Sequence, residues 1–477
     1  MEQYCYYRPY YNPAFESLIE RINPPRVCID NDACKNCTLI KVDSANKHGI
    51  LLEVVQILTD LDLYISKSYI CSDGGWFMDV FHVTDQFGNK ITDEALIQYI
   101  QKAVCTKRNS EEEQVCPGRE VRPRHVVMEH TALEMTMTDQ PGLLSEVSAV
   151  LAELGCHVSA GVAWTHKHRG ACIIYVDDQE MGRPITDQKR LSHIQEQLQS
   201  VVEAHHKNGE KQTVRWTIPA ATQTHTERRL HQLMLADEDY TTCCNCGGSV
   251  CDGKGMKYER LREMSCECNH VSIDTCKEKG YSVVNIRCRD RPKLLFDTVC
   301  ALTDMQYMVF HAAISSNSSI AVQEYYVRRK DGCTLNTEKE RRKVSQCLIA
   351  AVERRGTQGL KLDITAKDRT GLLSDVTRVF RENGLSVTRA EIGTRGEKAT
   401  GTFYVTDASG LKISKEMVEA MEKEIGGTIV LHDKSPNKNR NYNNTNVKDD
   451  KPSLLSLGSF LWSRLERISG NFGPIWS

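Results

Sequence analysis

Long apolar runs are missing from this 477-residue chain: no stretch approaches the ~20 residues that a membrane-spanning helix requires. Excess charge is missing too. The 61 Lys and Arg against 63 Asp and Glu leave a formal net charge of −2, so no broad field draws in nucleic acid or anionic lipid. There is no GxxxxGK[ST] phosphate loop, no HExxH and no GxSxG, and the 15 histidines are scattered without metal spacing. Those absences argue against an enzyme. Met1 to Tyr11 is rich in tyrosine but has neither an apolar core nor an arginine-serine bias, so no secretory or transit peptide is expected. The expected location is the cytoplasm, with the nucleus left open. Cysteine, by contrast, is plentiful at 20, and without a signal peptide these read as reduced thiols.

What the chain has instead is repetition. Asp368-Arg369-Thr370-Gly371-Leu372-Leu373-Ser374-Asp375-Val376 aligns without a gap on the nine residues from Asp139 to Val147 and on those from Asp290 to Thr298. A fourth version is looser at its front, where Asp43 is followed by Ser44 to His48 before Gly49-Ile50-Leu51-Leu52-Glu53-Val54 regains register. All four then run gaplessly to Ile70, Ala163, Ile314 and Ile392. Internal periodicity of this kind outranks local signals in reading a fold.

Each copy opens with a β-branched run, 38–42, 133–138, 283–288 and 360–366, that ends at the acidic residue. Apolar residues then fall on one helical face, as at Leu143, Val147, Val150, Leu151 and Leu154. A hairpin, a second helix and, clearest at 213–218 and 428–431, a closing strand follow. The first and third copies show no closing strand in the usual place; 124–129 is a candidate for the first, and none is evident for the third. The order is that of ferredoxin-like domains: an α+β fold of four tandem βαββαβ modules, antiparallel sheets with helices on one face.

At these residues the chain resembles the ACT domain, and the four copies resemble the plant ACT-domain-repeat (ACR) proteins. Ser282-Val283-Val284-Asn285, Arg289 to Asp297 and Thr226 to Met234 match beyond the generic module. The resemblance implies amino-acid binding between paired modules, at the turn from first strand to first helix. The residues concerned are Asp43, Gly49, Ile50 and Leu51; Asp139, Gly142, Leu143 and Leu144; Asp290, Lys293 and Leu294; and Asp368, Gly371, Leu372 and Leu373. A glycine there lets a carboxylate approach helix N–H groups that lack an intrahelical partner, while the aspartate meets an ammonium group. The plainer alternative is that the glycines only turn the chain and the acids only cap it. Glu53, Glu146, Asp297 and Asp375 read as dipole-stabilising acids of the first helical turn. Lys293 breaks the pattern, so the third turn is either shut or selects another ligand, and the second and fourth turns are the preferred sites.

The expected organisation is an N-terminal segment (1–36), modules at 37–120 and 125–218, a linker (219–279), modules at 280–358 and 359–432, and a tail (433–477). In the linker, Leu230, Leu233 and Met234 suggest a short docking helix over 226–236. Cys243, Cys246, Cys266 and Cys268 offer four thiolates to zinc, but C-x-C is a strained bite for a tetrahedral ion, so no metal and no cofactor are assigned. Cys34-x-x-Cys37 stands without a second pair and carries little weight alone. In the tail, Leu454, Leu457, Leu461, Leu465 and Ile468 form an amphipathic pattern after a segment read as disordered. The functional expectation is a non-catalytic amino-acid sensor with a protein partner, or self-association through module sheets, and no nucleic acid. An RNA-binding or purely scaffolding repeat protein is the alternative.

Overall fold

Within Thr38–Ala45 every second side chain, from Thr38 through Ile40 and Val42 to Ser44, is buried while Asp43 is exposed, the alternation of a strand with one face on a core. The computed structural model describes residues 25–45, 48–73, 76–105, 130–204, 211–217, 224–241, 269–276, 280–317, 319–356, 359–407 and 413–432. Among them are sixteen strands and nine helices. The zinc candidates at 243–268, the strand candidate at 124–129 and the tail pattern at 454–468 lie outside the described residues.

The first copy comprises β1 (Arg26–Asp30), β2 (Thr38–Ala45), α1 (Ile50–Asp60), β3 (Tyr64–Asp73), β4 (Trp76–Thr84) and α2 (Glu94–Cys105). The second has β5 (Thr131–Thr138), α3 (Leu143–Glu153), β6 (Cys156–His166), β7 (Arg169–Asp178), α4 (Gln188–Ala204) and β8 (Thr213–Thr217), and is followed by α5 (Thr226–Ala236). The third has β9 (His270–Cys276), β10 (Tyr281–Arg289), α6 (Leu294–Asp304), β11 (Tyr307–Asn317), β12 (Ile320–Arg329) and α7 (Glu338–Arg354). The fourth has β13 (Leu360–Lys367), α8 (Leu372–Glu382), β14 (Leu385–Arg395), β15 (Lys398–Asp407), α9 (Lys415–Ile425) and β16 (Gly427–His432).

Each copy is a four-stranded antiparallel sheet with two helices, and the expected ferredoxin-like architecture is present. Two strands sit elsewhere than the sequence suggested. In the second and fourth copies the edge strand trails the second helix, β8 beside β5 and β16 beside β13. In the first and third it leads: β1 pairs with β2 and β9 with β10, filling the same slot from the other end of the chain. Both lie in stretches read above as N-terminal segment and linker. β2 also runs two residues past Asp43, which therefore lies inside the strand rather than at its end.

The copies pair by alternation rather than succession. β3 joins β11 and β14 joins β6, both antiparallel, giving two eight-stranded sheets, one from the first and third copies and one from the second and fourth. A bulge precedes the joining residues in every copy, at 65/67, 158/160, 309/311 and 387/389, a device that locally kinks and twists a strand. The first and third copies share one continuous core, whereas the second and fourth keep separate cores, both of which touch Val158 and Ala163 at the join.

Helix α5 holds the two sheets together. Leu133, Met135, Cys172 and Ile174 face the helices of their own module, so the alternate residues Ala132, Ala171, Ile173 and Tyr175 face the other way. On that second face, with Ala160 and Trp164, pack Leu230, Leu233 and Met234 of α5. From its other side α5 reaches the first and third copies: His225 Nε2 to Asp60 at 2.9 Å, Arg228 to Asp304 at 2.7 Å and His231 Nε2 to Asp297 at 2.8 Å.

Candidate ligand clefts between the second and fourth copies

Gly49, Gly142, Lys293 and Gly371 each precede a first helix in left-handed conformation, with φ of 92°, 89°, 63° and 79°. None caps its helix with a side-chain hydrogen bond. In α3 the first i to i−4 bond runs from Glu146 N–H to Gly142 O, and in α8 from Asp375 N–H to Gly371 O. The N–H groups of Leu144 and Ser145, and of Leu373 and Ser374, therefore stand ahead of the helical ladder.

Two clefts open where these turns meet the opposite copy. One joins Asp139, Gly142, Leu143, Leu144 and Ser145 to Thr377 and Arg381 of α8 and to Leu385–Arg389 at the start of β14. The other joins Asp368, Gly371, Leu372, Leu373 and Ser374 to Ser148 and Ala152 of α3 and to Cys156 and Val158 of β6. They are related by the pseudo-twofold between the copies. Their volumes, about 60 and 40 Å³, exceed the ~10–15 Å³ a single water needs and suit only a small ligand.

The clefts are not identical. A Cβ added to Gly142 would lie 3.0 Å from Arg381 Cδ, whereas one on Gly371 would meet only Ala152 Cβ at 3.8 Å. The second-copy cleft therefore has a guanidinium stem over its turn and the fourth-copy cleft a methyl group. His157 Nε2 reaches across the join to Asp368 Oδ2 at 3.2 Å; Ser386 holds the corresponding position opposite Asp139. Burial pushes the Asp139 carboxyl above its ordinary value, against the pull of His168 and a hydrogen bond from Thr165.

The other two turns are placed differently. Asp290 accepts hydrogen bonds from Ser316 and, across the join, from Tyr64. Lys293 donates to Glu227 of α5 at 2.8 Å, and Leu294 is buried. In the first copy Asp43 is exposed, Ile50 is partly buried, Leu51 is buried and Gly49 has nothing within 4 Å of a Cβ. The sequence reading named only the turn side of each cleft. The opposite wall (Ala152, His157, Arg381 and Arg389) went unnamed because it belongs to a copy more than 200 residues away in the other half of the pair.

Behind the sheet of the second copy lies a buried charge cluster. Arg355 bonds Asp297 at 2.9 Å and Glu227 at 2.7 Å, with its guanidinium carbon 4.6 Å from the Trp164 ring centre. Arg291 also meets Asp297, at 2.6 Å. Burial disfavours the Asp297 carboxylate, yet Arg355, Arg291 and His231 hold its pKa well below the ordinary value. Arg354 bonds Asp239 at 2.5 Å, and His166 sits between Asp239 at 2.8 Å and Glu353 at 3.1 Å. Asp297, read from sequence as a helix-dipole acid, is thus a centre of this cluster.

Among the described residues no helix is long and apolar enough to cross a membrane, and no metal-ligand cluster is found. Residues 33–111 match the family model for the ACR family N-terminal ACT domain, and 362–426 match that for the ACT domain. The chain is 52% identical over 476 residues to ACT domain-containing protein ACR1 of Arabidopsis thaliana, covering 97% of this chain and 98% of that one. It is 51% identical over 463 residues to ACT domain-containing protein ACR3 of the same plant, with 97% and 99% covered. A short likeness, 40% over 79 residues, covers 17% of this chain and 8% of the bifunctional uridylyltransferase/uridylyl-removing enzyme of Azospirillum brasilense. With half its residues shared over nearly its whole length, the chain belongs to the plant ACT-domain-repeat (ACR) family.

Proposed function

We propose that this protein is a non-catalytic regulator that binds a free amino acid in the clefts between its second and fourth copies. The observation that carries the reading is the apposition, twice over, of a glycine turn from one copy and the first helix and second strand of the other. The N–H groups of Leu144 and Ser145, or of Leu373 and Ser374, supply donors and the helix dipole for a carboxylate. Asp139 supplies a counter-charge for an α-ammonium group, and binding that group would lower its raised pKa. Apolar residues such as Ile364, Ile392 and Phe403 line the depth of the fourth-copy cleft and suit an aliphatic side chain.

Because both walls belong to different copies, an occupant favours the arrangement in which those copies are closed on each other. Ligand binding shifts such an equilibrium only by its difference in affinity between the two arrangements, and a partner protein reads the outcome. The sheet-edge pairing at β3–β11 and β6–β14 is made inside the chain, so a second chain is not required to complete a cleft. The many thiols suit the reducing cytoplasm or nucleus.

The test is calorimetry and thermal unfolding with each of the twenty amino acids at millimolar concentration. At 100 times its Kd a ligand stabilises by about 2.7 kcal/mol, a readily measured rise in Tm. Binding should be lost from the matching cleft in Gly142→Leu and Gly371→Leu. No heat and no shift with any amino acid would end this reading.

A further inference from the structure

The loop from β1 to β2 carries Cys34-x-x-Cys37, which the amino-acid reading leaves without a role. The Cys37 thiol donates to Cys34 Sγ with the sulfurs 3.1 Å apart, so an approach of about 1 Å more would bring them to the ~2.05 Å of a disulfide. Cys34 is partly exposed and Cys37 is buried. The loop is held from both ends. Asp30 Oδ1 accepts the N–H groups of Asp32 at 3.0 Å and Ala33 at 2.9 Å. Thr38 Oγ1 donates to Asn31 Oδ1 at 2.6 Å and accepts Ile91 N–H at 2.9 Å, while Lys90 Nζ donates to Asn31 O at 2.6 Å. This anchoring keeps the sulfurs together and leaves the outer one reachable.

We propose that Cys34 and Cys37 form a reversible thiol–disulfide site, in which Cys34 attacks a small disulfide of the glutathione type and Cys37 resolves the product. In the first step Cys34 thiolate displaces one thiolate from the small disulfide and forms a mixed disulfide. In the second Cys37 gives up its proton and attacks Cys34 Sγ, expelling the second thiol. One small disulfide becomes two thiols while two protein thiols become one disulfide, so atoms and electrons balance.

The asymmetry of the pair fits these roles. Burial opposes the Cys34 thiolate, but the N–H of Asn36, the thiol and N–H of Cys37 and the charge of Lys90 bring its pKa below the ordinary value. Burial and the neighbouring Cys34 push Cys37 up to about 12, so it stays a thiol until the mixed disulfide forms. An attacking thiol needs thiolate character and access, and of the two sulfurs Cys34 is favoured on both counts. The ring closed is only four residues long, so the bond contributes little to fold stability. It is better suited to signalling the redox state of the cell, as cytosolic disulfides commonly are.

The test uses the full chain in glutathione buffers of increasing oxidation, with alkylation and peptide mass mapping. A Cys34–Cys37 disulfide is expected to form first and to reopen with reduced glutathione. In the reduced protein at pH 7, Cys34 should alkylate several-fold faster than the exposed Cys28 and Cys333. Cys37→Ser should trap one glutathione on Cys34, read by intact mass, whatever its effect on stability. The proposal is overturned if Cys34 reacts no faster than Cys28, if Cys37→Ser carries no glutathione at Cys34, or if a stoichiometric zinc ion protects both sulfurs. None of these outcomes bears on the amino-acid clefts.

Discussion

Lys293 occupies a backbone conformation that the other three copies give to glycine. Left-handed backbone costs an L-residue about 1–2 kcal/mol, so local conformation alone favours Lys293→Gly. Its ammonium is also a partner of the buried Glu227 carboxylate, and a hydrogen bond to a charged group contributes about 1.5–3 kcal/mol. On mid-range values the second effect is larger, and Lys293→Gly is expected to lower stability by about 1 kcal/mol. A higher urea midpoint in the variant would show that Arg355 alone suffices for Glu227. His166 gives a test with a sign. Burial disfavours the charged ring, but hydrogen bonds to Asp239 and Glu353 raise its pKa above the ordinary value. A raised folded pKa stabilises fully below the unfolded value of about 6.5, and that stabilisation is lost as pH rises through the folded value. His166→Gln should therefore destabilise more at pH 6 than at pH 8. His231, whose pKa burial lowers, acts in the opposite sense but is common to both proteins and cancels. Equal penalties at the two pH values would mean that folding leaves the His166 pKa unshifted, and a smaller penalty at pH 6 that the ring is neutral in the folded protein.

Why clefts open between α3 and α8 follows from three positions on the paired first helices. Counting from the turn residue, positions +3, +6 and +10 are Ser145, Ser148 and Ala152 in the second copy and Ser374, Thr377 and Arg381 in the fourth. The same positions are Leu52, Val55 and Thr59 in the first copy and Phe296, Val299 and Thr303 in the third, all buried. Small and polar residues leave room in one pair where branched and aromatic ones fill the other. Both hydroxyls at +6 bond back to helix carbonyls, Ser148 to Leu144 O at 2.6 Å and Thr377 to Leu373 O at 2.7 Å, so they hold no essential cross-helix contact. Replacing both by valine, as in the first and third copies, is expected to cost about 1–3 kcal/mol, leaving the chain folded, while abolishing amino-acid binding. Binding that survives would move the site elsewhere. This difference was present in the aligned repeats, and comparing copies position by position would have found it. The edge strands β1 and β9 were less legible, because five- and seven-residue strands ahead of their module break the order the other copies set. For α5 the apolar face was readable from Leu230, Leu233 and Met234. Its charged partners were not, since Arg355 lies 128 residues from Glu227. Leu230→Ala should lower stability by about 2–5 kcal/mol, measured by denaturant unfolding; a loss under about 0.5 kcal/mol would mean that α5 is not needed to join the sheets.

At the scale of the whole molecule the sequence declared four copies but not their pairing. Each copy offers the same kind of edge, so nothing in the repeat pattern says that the first joins the third and the second the fourth. The clue was spread across the joins. Tyr64 and His157 hold equivalent positions and reach Asp290 and Asp368 of the partner copies, while Met308 and Ser386 hold those positions in the reverse direction. One pair buries its first helices in a single shared core, and the other keeps two small clefts along its helix seam. On the proposed reading, the first and third copies support the fold and the second and fourth respond to ligand. The most direct measurement is backbone amide exchange on the full protein with and without the amino acid that the ligand screen selects. Slowed exchange is expected at Leu144 and Ser145, at Leu373 and Ser374, or at both pairs, with Leu51, Leu52, Leu294 and Leu295 unchanged. Protection confined to the first and third copies, or no change at any of these helix entrances when ligand is bound, would contradict the proposed reading.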